Sequence, residues 1–238
     1  MQSTMNKKTD ALSQPSAPLE DSSPRILRLE SIAQAQVAHE PFTYLFAQNT
    51  LLSEMTTVLK QDFPVIDRPG FFPLSTLKYN GAFHALIKEL QAPELAEVLS
   101  KKLGTDLRDK PRMITVRKWS AAKDGRIHND GEAKIATSLF YLNDEWPNAE
   151  EGGRFCVLKS ERSFNDTVAE VAPGFGGFAA FRRSDNSWHG HRPFVGERRV
   201  IQVTWLRSQE DLERKEKRGR TSLFLKRLLP FFGDSYTN

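Results

Sequence analysis

Three of the five histidines in the chain lie beside acids and glycines in its second half. His128 and Asp130 are two residues apart in the segment GRIHND. On an extended chain residues i and i+2 point to the same side, so this imidazole and this carboxylate can reach one metal ion. His189, in SWHGHRPFVGERR, is available as a third ligand. Two imidazoles and one carboxylate on one face of an ion form the triad of non-haem Fe(II) oxygenases, with positions left open for a chelating cosubstrate and oxygen.

Short strands are the elements that must position these side chains. From Met113 onward, runs rich in β-branched and aromatic residues alternate with Gly, Pro, Asn and Asp. Strands in series without intervening helices predict an antiparallel sandwich or an open barrel, whose closure would bring His189 opposite His128 and Asp130. The predicted strands are MITVRKW, KIATSLFYLN, GRFCVL, TVAEV, GGFAAF and RRVIQVTWL.

The first half of the chain has a different texture. The segment Pro41–Phe46 has strand character, a helical stretch follows near Leu51–Leu59, and Gly81–Leu103 carries apolar residues at helical spacing. Pro93 is expected to divide that last stretch into two helices. We therefore predict a mostly β protein of the α+β class, in which a helical and strand support (25–108) packs on a barrel (109–208).

Both ends of the chain are expected to lie outside that domain. Residues 1–24 contain no Phe, Tyr or Trp and are expected to form a disordered leader. The tail 209–238 is predicted to be a basic amphipathic helix with Leu223, Phe224, Leu225, Leu228 and Leu229 beside Lys226 and Arg227. Docking on its own domain or on a partner chain is the favoured interpretation, and contact with an anionic membrane surface is the alternative.

Composition excludes several classes of function. The 238 residues carry a net charge of +4 from 34 basic and 30 acidic side chains, so no nucleic-acid partner is expected. No run of about 18 apolar residues and no signal peptide is visible, which predicts a cytoplasmic protein. The single cysteine, Cys156, can form neither an internal disulfide nor a thiolate zinc site.

The stretch from Val116 to Leu206 resembles the catalytic barrel of the Fe(II)- and 2-oxoglutarate-dependent dioxygenases. It is similar to the prolyl 4-hydroxylase superfamily and, within it, to the hypoxia-sensor branch. The resemblance implies a double-stranded β-helix, also called a jelly roll. It is carried by GRIHND, TSLFYLNDEW followed by EEGGRFCVL, VAEVAPGFGGFAAF, and HGHRPFVGERRVIQVTW.

The resemblance also implies a role for each matching residue. His128, Asp130 and His189 would hold iron. Arg199 would bind the distal carboxylate of 2-oxoglutarate, and Tyr141 would donate its hydroxyl to the same carboxylate. The remaining lining of the cosubstrate pocket would come from Thr137, Phe155, Val203 and Trp205.

Two of these assignments have rivals. Counting back from Trp205 in steps of two gives Val203, Ile201 and Arg199 on one strand face, which favours Arg199 over its neighbour Arg198 as the carboxylate anchor. A structural ion pair with Asp or Glu is the alternative role for Arg199. His191, two residues beyond His189, is an alternative ligand or a substrate contact. The residues expected near the mouth of the site, where they could select the substrate, are Trp119, Arg117, Trp146 and the loop 185–188.

The resemblance implies hydroxylation of an unactivated C–H bond with release of succinate and CO2. Its cofactors are Fe(II), 2-oxoglutarate and O2, and it leaves room for ascorbate. The substrate class stays open between a protein or peptide, with a peptidyl proline as one target, and a small molecule. Two other hypotheses remain: an inactive jelly-roll module that binds partners, and a metal cupin enzyme that does not need 2-oxoglutarate. A cupin enzyme that works without 2-oxoglutarate would not need Arg199.

Overall fold

The computed structural model describes residues 25–144, 146 and 152–228, with side chains described as far as residue 221. Within these ranges the chain forms ten strands and five α-helices. The strands are β1 (Val37–Ala38), β2 (Tyr44–Ala47), β3 (Phe72–Pro73), β4 (Arg112–Ser120), β5 (Lys134–Tyr141), β6 (Phe155–Leu158), β7 (Thr167–Val171), β8 (Phe178–Arg182), β9 (His189–Gly190) and β10 (Gly196–Leu206). The helices are α1 (Leu29–Gln34), α2 (Thr56–Gln61), α3 (Gly81–Gln91), α4 (Pro93–Leu103) and α5 (Gln209–Leu228).

Two antiparallel sheets face each other, as in a double-stranded β-helix. The larger has the order β1-β2-β8-β5-β10-β4-β3, and the smaller has the order β7-β6-β9. The register places Val200 of β10 opposite Tyr141 of β5 and opposite Arg117 of β4, so these three side chains share one face. That face looks toward the small sheet, because Tyr141 and Val200 pack in one buried cluster with Phe155 and Val157 of β6. The predicted α+β class and jelly-roll architecture are confirmed.

The opposite face of the large sheet packs against the N-terminal helices. Its buried side chains from β10 are Ile201, Val203 and Trp205, which join the apolar faces of α3 and α4 in one large cluster. Proline at the first position of α4 has a fixed φ that suits a helix start, so Pro93 divides the two helices as predicted. This face therefore holds the main hydrophobic core.

The N-terminal segment contributes strands as well as helices. β2 pairs with β8, and β3 pairs with β4, so residues before 108 extend both edges of the large sheet. The strand predicted at Pro41–Phe46 is displaced to Tyr44–Ala47. The short strands β1, β3 and β9 were not predicted, because two-residue strands are defined by their partners rather than by a hydrophobic pattern.

The C-terminal helix α5 lies against the domain. It packs on β3, β4 and β10 through one half-buried face that includes Leu212, Lys215 and Gly219. An added Cβ at Gly219 would come within 2.6 Å of Pro73, so the helix approaches β3 closely. The predicted helix is observed to Leu228, and its first part docks on its own domain. The apolar side chains of the predicted amphipathic face (223–229) and the predicted leader (1–24) lie outside the described residues.

Candidate active site

A backbone bridge joins the two histidines that the sequence placed 61 residues apart. His128 and His189 form an isolated antiparallel bridge, in which each backbone N–H donates to the other residue's carbonyl at 3.0 Å. Their rings are 4.3 Å apart between centroids. His189 also lies in β9, where it pairs with Val157 of the small sheet. The fold therefore fixes both imidazoles through their main chain.

Asp130 completes a cluster of potential metal ligands. One ligand atom each from His128, Asp130 and His189 lies within 4.8 Å of the others. The Asp130 Oδ1 atom is 4.0 Å from Nε2 of His128. Two imidazole nitrogens and one carboxylate oxygen at this separation fit the facial triad of a mononuclear Fe(II) site.

Hydrogen bonds select the nitrogen that each imidazole offers. Nδ1 of His128 lies 2.8 Å from the carbonyl oxygen of Arg126, and Nδ1 of His189 lies 2.8 Å from that of Ser187. A carbonyl only accepts, so each Nδ1 carries the hydrogen and each Nε2 keeps a free lone pair. Metal-binding histidines in proteins are oriented by this type of bond.

The Asp130 carboxylate is buried yet remains ionised. Its Oδ2 accepts a hydrogen bond from the Thr137 hydroxyl at 2.8 Å, and its Oδ1 accepts one from Nζ of Lys134 at 2.5 Å. Burial raises the pKa of Asp130, but the charges of Lys134 and His189 and the two hydrogen bonds outweigh it, so the pKa falls to about 2. The carboxylate therefore presents full negative charge to a cation.

Aromatic side chains surround His189. Its ring centroid is 4.4 Å from that of Phe181 and 5.6 Å from that of Phe155. This burial lowers the pKa of His189 to about 4, against the opposing charge of Asp130. The imidazole is consequently neutral near pH 7, as a metal ligand must be.

The three residues line one end of a cavity of about 270 Å³. Leu139 and Phe155 form an apolar part of the wall, and Arg198 lies in the same cavity. The full lining is Phe71, Arg117, Gly125, His128, Asp130, Lys134, Thr137, Leu139, Phe155, Phe181, His189, Gly190, His191, Arg198 and Gln202.

Arg198 is the cation that can anchor a distal carboxylate. It is buried, its Nε donates to the carbonyl of Gly153 at 2.8 Å, and its guanidinium carbon is 5.4 Å from the centre of the Tyr141 ring. Within the part of the chain that the structure describes, no carboxylate forms a salt bridge with Arg198. The buried Tyr141 hydroxyl lies beside this guanidinium and donates to no described group. Such groups are costly unless they are paired, so this end of the cavity fits an anion that also accepts from a hydroxyl.

The prediction of Arg199 as the anchor is wrong. Arg199 shares a strand face with Ile201, Val203 and Trp205, as the counting argument held, but this face packs on the helices. Its guanidinium forms a salt bridge with Glu197 and lies 5.6 Å from the Phe63 ring centre. The structural ion pair, left open as the alternative, is its observed role.

Two residues predicted to line the pocket lie on the same helix-facing side of β10 as Arg199. Val203 and Trp205 are completely buried in the core between sheet and helices, and they do not line the cavity. The alternation was correct, but the site lies on the other side of the sheet. The register of β10 against β4 shifts between Glu197 and Val200, but this bulge leaves Arg199 on the face that the alternation predicted.

Two other predicted lining residues do face the cavity. Thr137 and Phe155 both belong to its wall. Tyr141 lies just behind the wall, beside Arg198. His191 is not part of the ligand cluster, but its ring lines the cavity against Gly125, where an added Cβ would come within 2.3 Å.

Several cavity residues were missed from the sequence. They belong to predicted strands, but the direction of their side chains depends on which face of the large sheet the small sheet covers. These residues are Lys134, Leu139, Phe181 and Gln202. The mixed polarity of Gln202 and Thr204, against the uniformly apolar Ile201, Val203 and Trp205, is the signal that marks the face toward the site. His39 and His84, the two histidines outside this half of the chain, are exposed.

The fold and the site together define a mononuclear iron oxygenase of the jelly-roll type. Residues 116–207 match the family model described as the 2OG-Fe(II) oxygenase superfamily. Fe(II) and 2-oxoglutarate are the cofactors that this match implies, and the intact triad and the unpaired groups around Arg198 fit them. No curated protein matches the chain.

Solved structures resemble the chain at low identity. A prolyl-4-hydroxylase from Pseudomonas putida is 15% identical over 75% of this chain and 90% of that one, with a TM-score of 0.47. A viral collagen prolyl hydroxylase from Paramecium bursaria Chlorella virus-1, in a 2OG complex, is 17% identical over 69% and 95%, with a TM-score of 0.48. HygX from Streptomyces hygroscopicus, with nickel and 2-oxoglutarate bound, is 13% identical over 70% and 83%, with a TM-score of 0.47.

The structure also bears on the membrane question. Among the described residues, no helix is both long enough and apolar enough to cross a membrane. Membrane-surface contact by the tail stays a prediction.

Proposed function

We propose that the chain hydroxylates an unactivated C–H bond, with a peptidyl proline as the target. The observation that carries the hydroxylase proposal is the presence of the His128, Asp130 and His189 cluster and the buried Arg198 in one cavity. The choice of proline rests on the resemblance of the sequence motifs to prolyl 4-hydroxylases.

The ligands would be Nε2 of His128, Nε2 of His189 and Oδ1 of Asp130. The backbone carbonyls behind both imidazoles keep their Nδ1 hydrogens in place, and Thr137 holds the other oxygen of Asp130. When bound, Fe(II) with 2-oxoglutarate and O2 supplies the chemistry, in which one oxygen atom enters the C–H bond and the other enters succinate as CO2 leaves.

Arg198 and Tyr141 would orient the cosubstrate. A guanidinium forms two parallel hydrogen bonds with a carboxylate, and the Tyr141 hydroxyl can donate a third. Burial raises the pKa of Tyr141 to about 12, so the hydroxyl keeps its proton and acts as a donor. With its distal carboxylate held by Arg198 and Tyr141, the cosubstrate would have its keto acid end toward the triad.

The walls of the cavity separate a shielded side from an open side. Leu139, Phe155 and Phe181 are buried and exclude water from behind His189. The His128 side chain, by contrast, is 54% exposed. A substrate would therefore approach from the side of His128, where the site opens to solvent.

Product analysis tests this function. Purified protein with Fe(II), 2-oxoglutarate and ascorbate is incubated with a panel of proline-containing peptides under ¹⁸O₂, and peptide mass and succinate are measured. We expect one labelled oxygen in a peptide, located on proline by fragmentation, with matching succinate release. Labelled oxygen on another residue would keep the hydroxylase and overturn proline as the target.

Asp130→Asn provides the control. It removes the charge of one ligand at nearly constant shape, so it should abolish both labelled peptide and succinate while the far-ultraviolet circular dichroism is unchanged. Turnover that survives in this variant would contradict the assignment of the metal ligands.

A further inference from the structure

A second arginine enters the cosubstrate end of the cavity from the neighbouring strand. Arg117 lies on β4 opposite Val200, which places it diagonally across from Arg198 on β10. Its side chain is only 8% exposed and lines the same cavity. Burial lowers the pKa of Arg117 to about 10, so the guanidinium remains charged near pH 7.

The surroundings of Arg117 hold its guanidinium in one place. Its Nη2 is 3.5 Å from Oδ1 of Asp124, and its guanidinium carbon lies 4.2 Å from the ring centre of Phe71. In the part of the chain that the structure describes, its buried Nε has no hydrogen-bond partner. Asp124 therefore uses part of the donor capacity of Arg117 and leaves the rest available.

The charges at this end of the cavity do not balance. Among the described residues, Asp124 is the carboxylate that faces Arg117 and Arg198. Taking buried cations out of water is costly unless an anion pairs with them. The excess is one positive charge, which one ligand carboxylate would compensate.

We propose that Arg117 is a second carboxylate-binding residue, which with Arg198 holds the distal carboxylate of the cosubstrate from two neighbouring strands. The proposal rests on the proposed function for the identity of that cosubstrate. Asp124 and Phe71 are positioning residues that orient the guanidinium. Because two guanidinium groups bind the distal carboxylate, the site selects 2-oxo dicarboxylates over 2-oxo acids that lack the second carboxylate.

Anaerobic binding measurements test the proposal without turnover. Fe(II)-loaded wild-type protein and Arg117→Met are titrated with 2-oxoglutarate and, separately, with 2-oxobutyrate, which has the same keto acid end but no distal carboxylate. Hydrogen bonds to charged groups predict that Arg117→Met binds 2-oxoglutarate about 10- to 100-fold more weakly. Binding of 2-oxobutyrate should change by less than about threefold, since its keto acid end does not meet Arg117.

Lys118→Met is the matched control. Lys118 is the next residue on β4, its ammonium lies 5.7 Å from the ring centre of Trp119, and it does not line the cavity. The same loss of charge there should leave both affinities unchanged. Arg117→Lys, which keeps the charge but loses the planar donor fork, should show an intermediate loss for 2-oxoglutarate. It also serves if Arg117→Met does not fold.

Three outcomes would overturn the proposal. Equal losses for both acids would make Arg117 a purely structural residue. Folded wild-type protein that binds Fe(II) but not 2-oxoglutarate would overturn the proposed function and this proposal with it. A wild type that binds 2-oxoglutarate, with Arg117→Met equally tight, would overturn this proposal alone.

Discussion

The two faces of β10 differ in what they contact and in what they do. The face toward the helices carries Ile201, Val203 and Trp205, all buried in the main core. The face toward the small sheet carries Arg198 and Gln202, both of which line the cavity. One strand therefore supplies stability on one side and ligand contacts on the other.

This difference shows what alternation can and cannot establish. The period of two groups residues correctly into faces, but it does not say which face looks toward the site. The more apolar face belongs to the larger core, and the face with polar side chains belongs to the functional cavity. Substitutions on each face should therefore separate stability from ligand binding.

Trp205→Ala should have the largest effect, and it should fall on stability alone. Removing a fully buried indole from the core typically costs about 3–5 kcal/mol in the free energy of unfolding. Urea denaturation monitored by circular dichroism measures this loss. The fraction that remains folded should bind 2-oxoglutarate with wild-type affinity; a loss of affinity in that fraction would place Trp205 in the site.

Arg198→Met should show the reverse behaviour. The loss of a bidentate guanidinium should weaken 2-oxoglutarate binding by roughly 100-fold, as estimated from two charge-assisted hydrogen bonds. Stability should fall by only about 1 kcal/mol, the value of the hydrogen bond to the Gly153 carbonyl, since Arg198 has no salt bridge within the described residues and an apolar side chain of similar length replaces it. Anaerobic titration measures the affinity for 2-oxoglutarate, and urea denaturation of the same sample measures the free energy of unfolding. Unchanged affinity would show that Arg198 is not the carboxylate anchor.

Tyr141→Phe should have a smaller effect with the same sign on binding. Tyr141 is on β5, which pairs with β10, and its side chain points toward the small sheet as that of Val200 does. Removal of its hydroxyl should weaken 2-oxoglutarate binding about tenfold, the value of roughly one hydrogen bond. The free energy of unfolding should change little, because this hydroxyl donates to no described group. Isothermal titration under anaerobic conditions measures the affinity. A lower free energy of unfolding with unchanged affinity would contradict the role of Tyr141 in binding 2-oxoglutarate.

Arg199→Met should have the smallest effect on binding. Its guanidinium pairs with Glu197 on the helix side of the sheet, and such pairs contribute about 0–1 kcal/mol. We expect 2-oxoglutarate affinity within about threefold of wild type. Comparison with Arg198→Met in the same titration tests the contrast between the two faces at adjacent positions, and similar losses in both variants would abolish it.

Much of the fold could be predicted because its elements have local signals. The α3 and α4 helices carry apolar residues at helical spacing around Pro93, and β7 is recovered with its bounds as Thr167–Val171. The strands β1, β3 and β9 could not be predicted, because two residues carry no periodic pattern and their pairing depends on distant partners.

The site was predictable to the extent that its spacing was local. His128 and Asp130 share a side because they are two residues apart, and the family pattern placed His189 with them. The choice between Arg198 and Arg199 depends on which face of β10 looks toward the small sheet, and the alternation of residues along the strand does not settle this by itself. Arg117 depends on the pairing of β4 with β10, a contact between residues far apart in sequence.

Above all, we propose that His128, Asp130 and His189 hold Fe(II) and that 2-oxoglutarate chelates it there. The most direct measurement is an anaerobic titration with Fe(II) and 2-oxoglutarate that follows the visible charge-transfer band of the chelated cosubstrate. The band should form in wild type and in His84→Ala, which alters an exposed histidine of α3, and it should be absent in His128→Ala. A folded wild-type protein without the band, or a band that persists in His128→Ala, would contradict the claim.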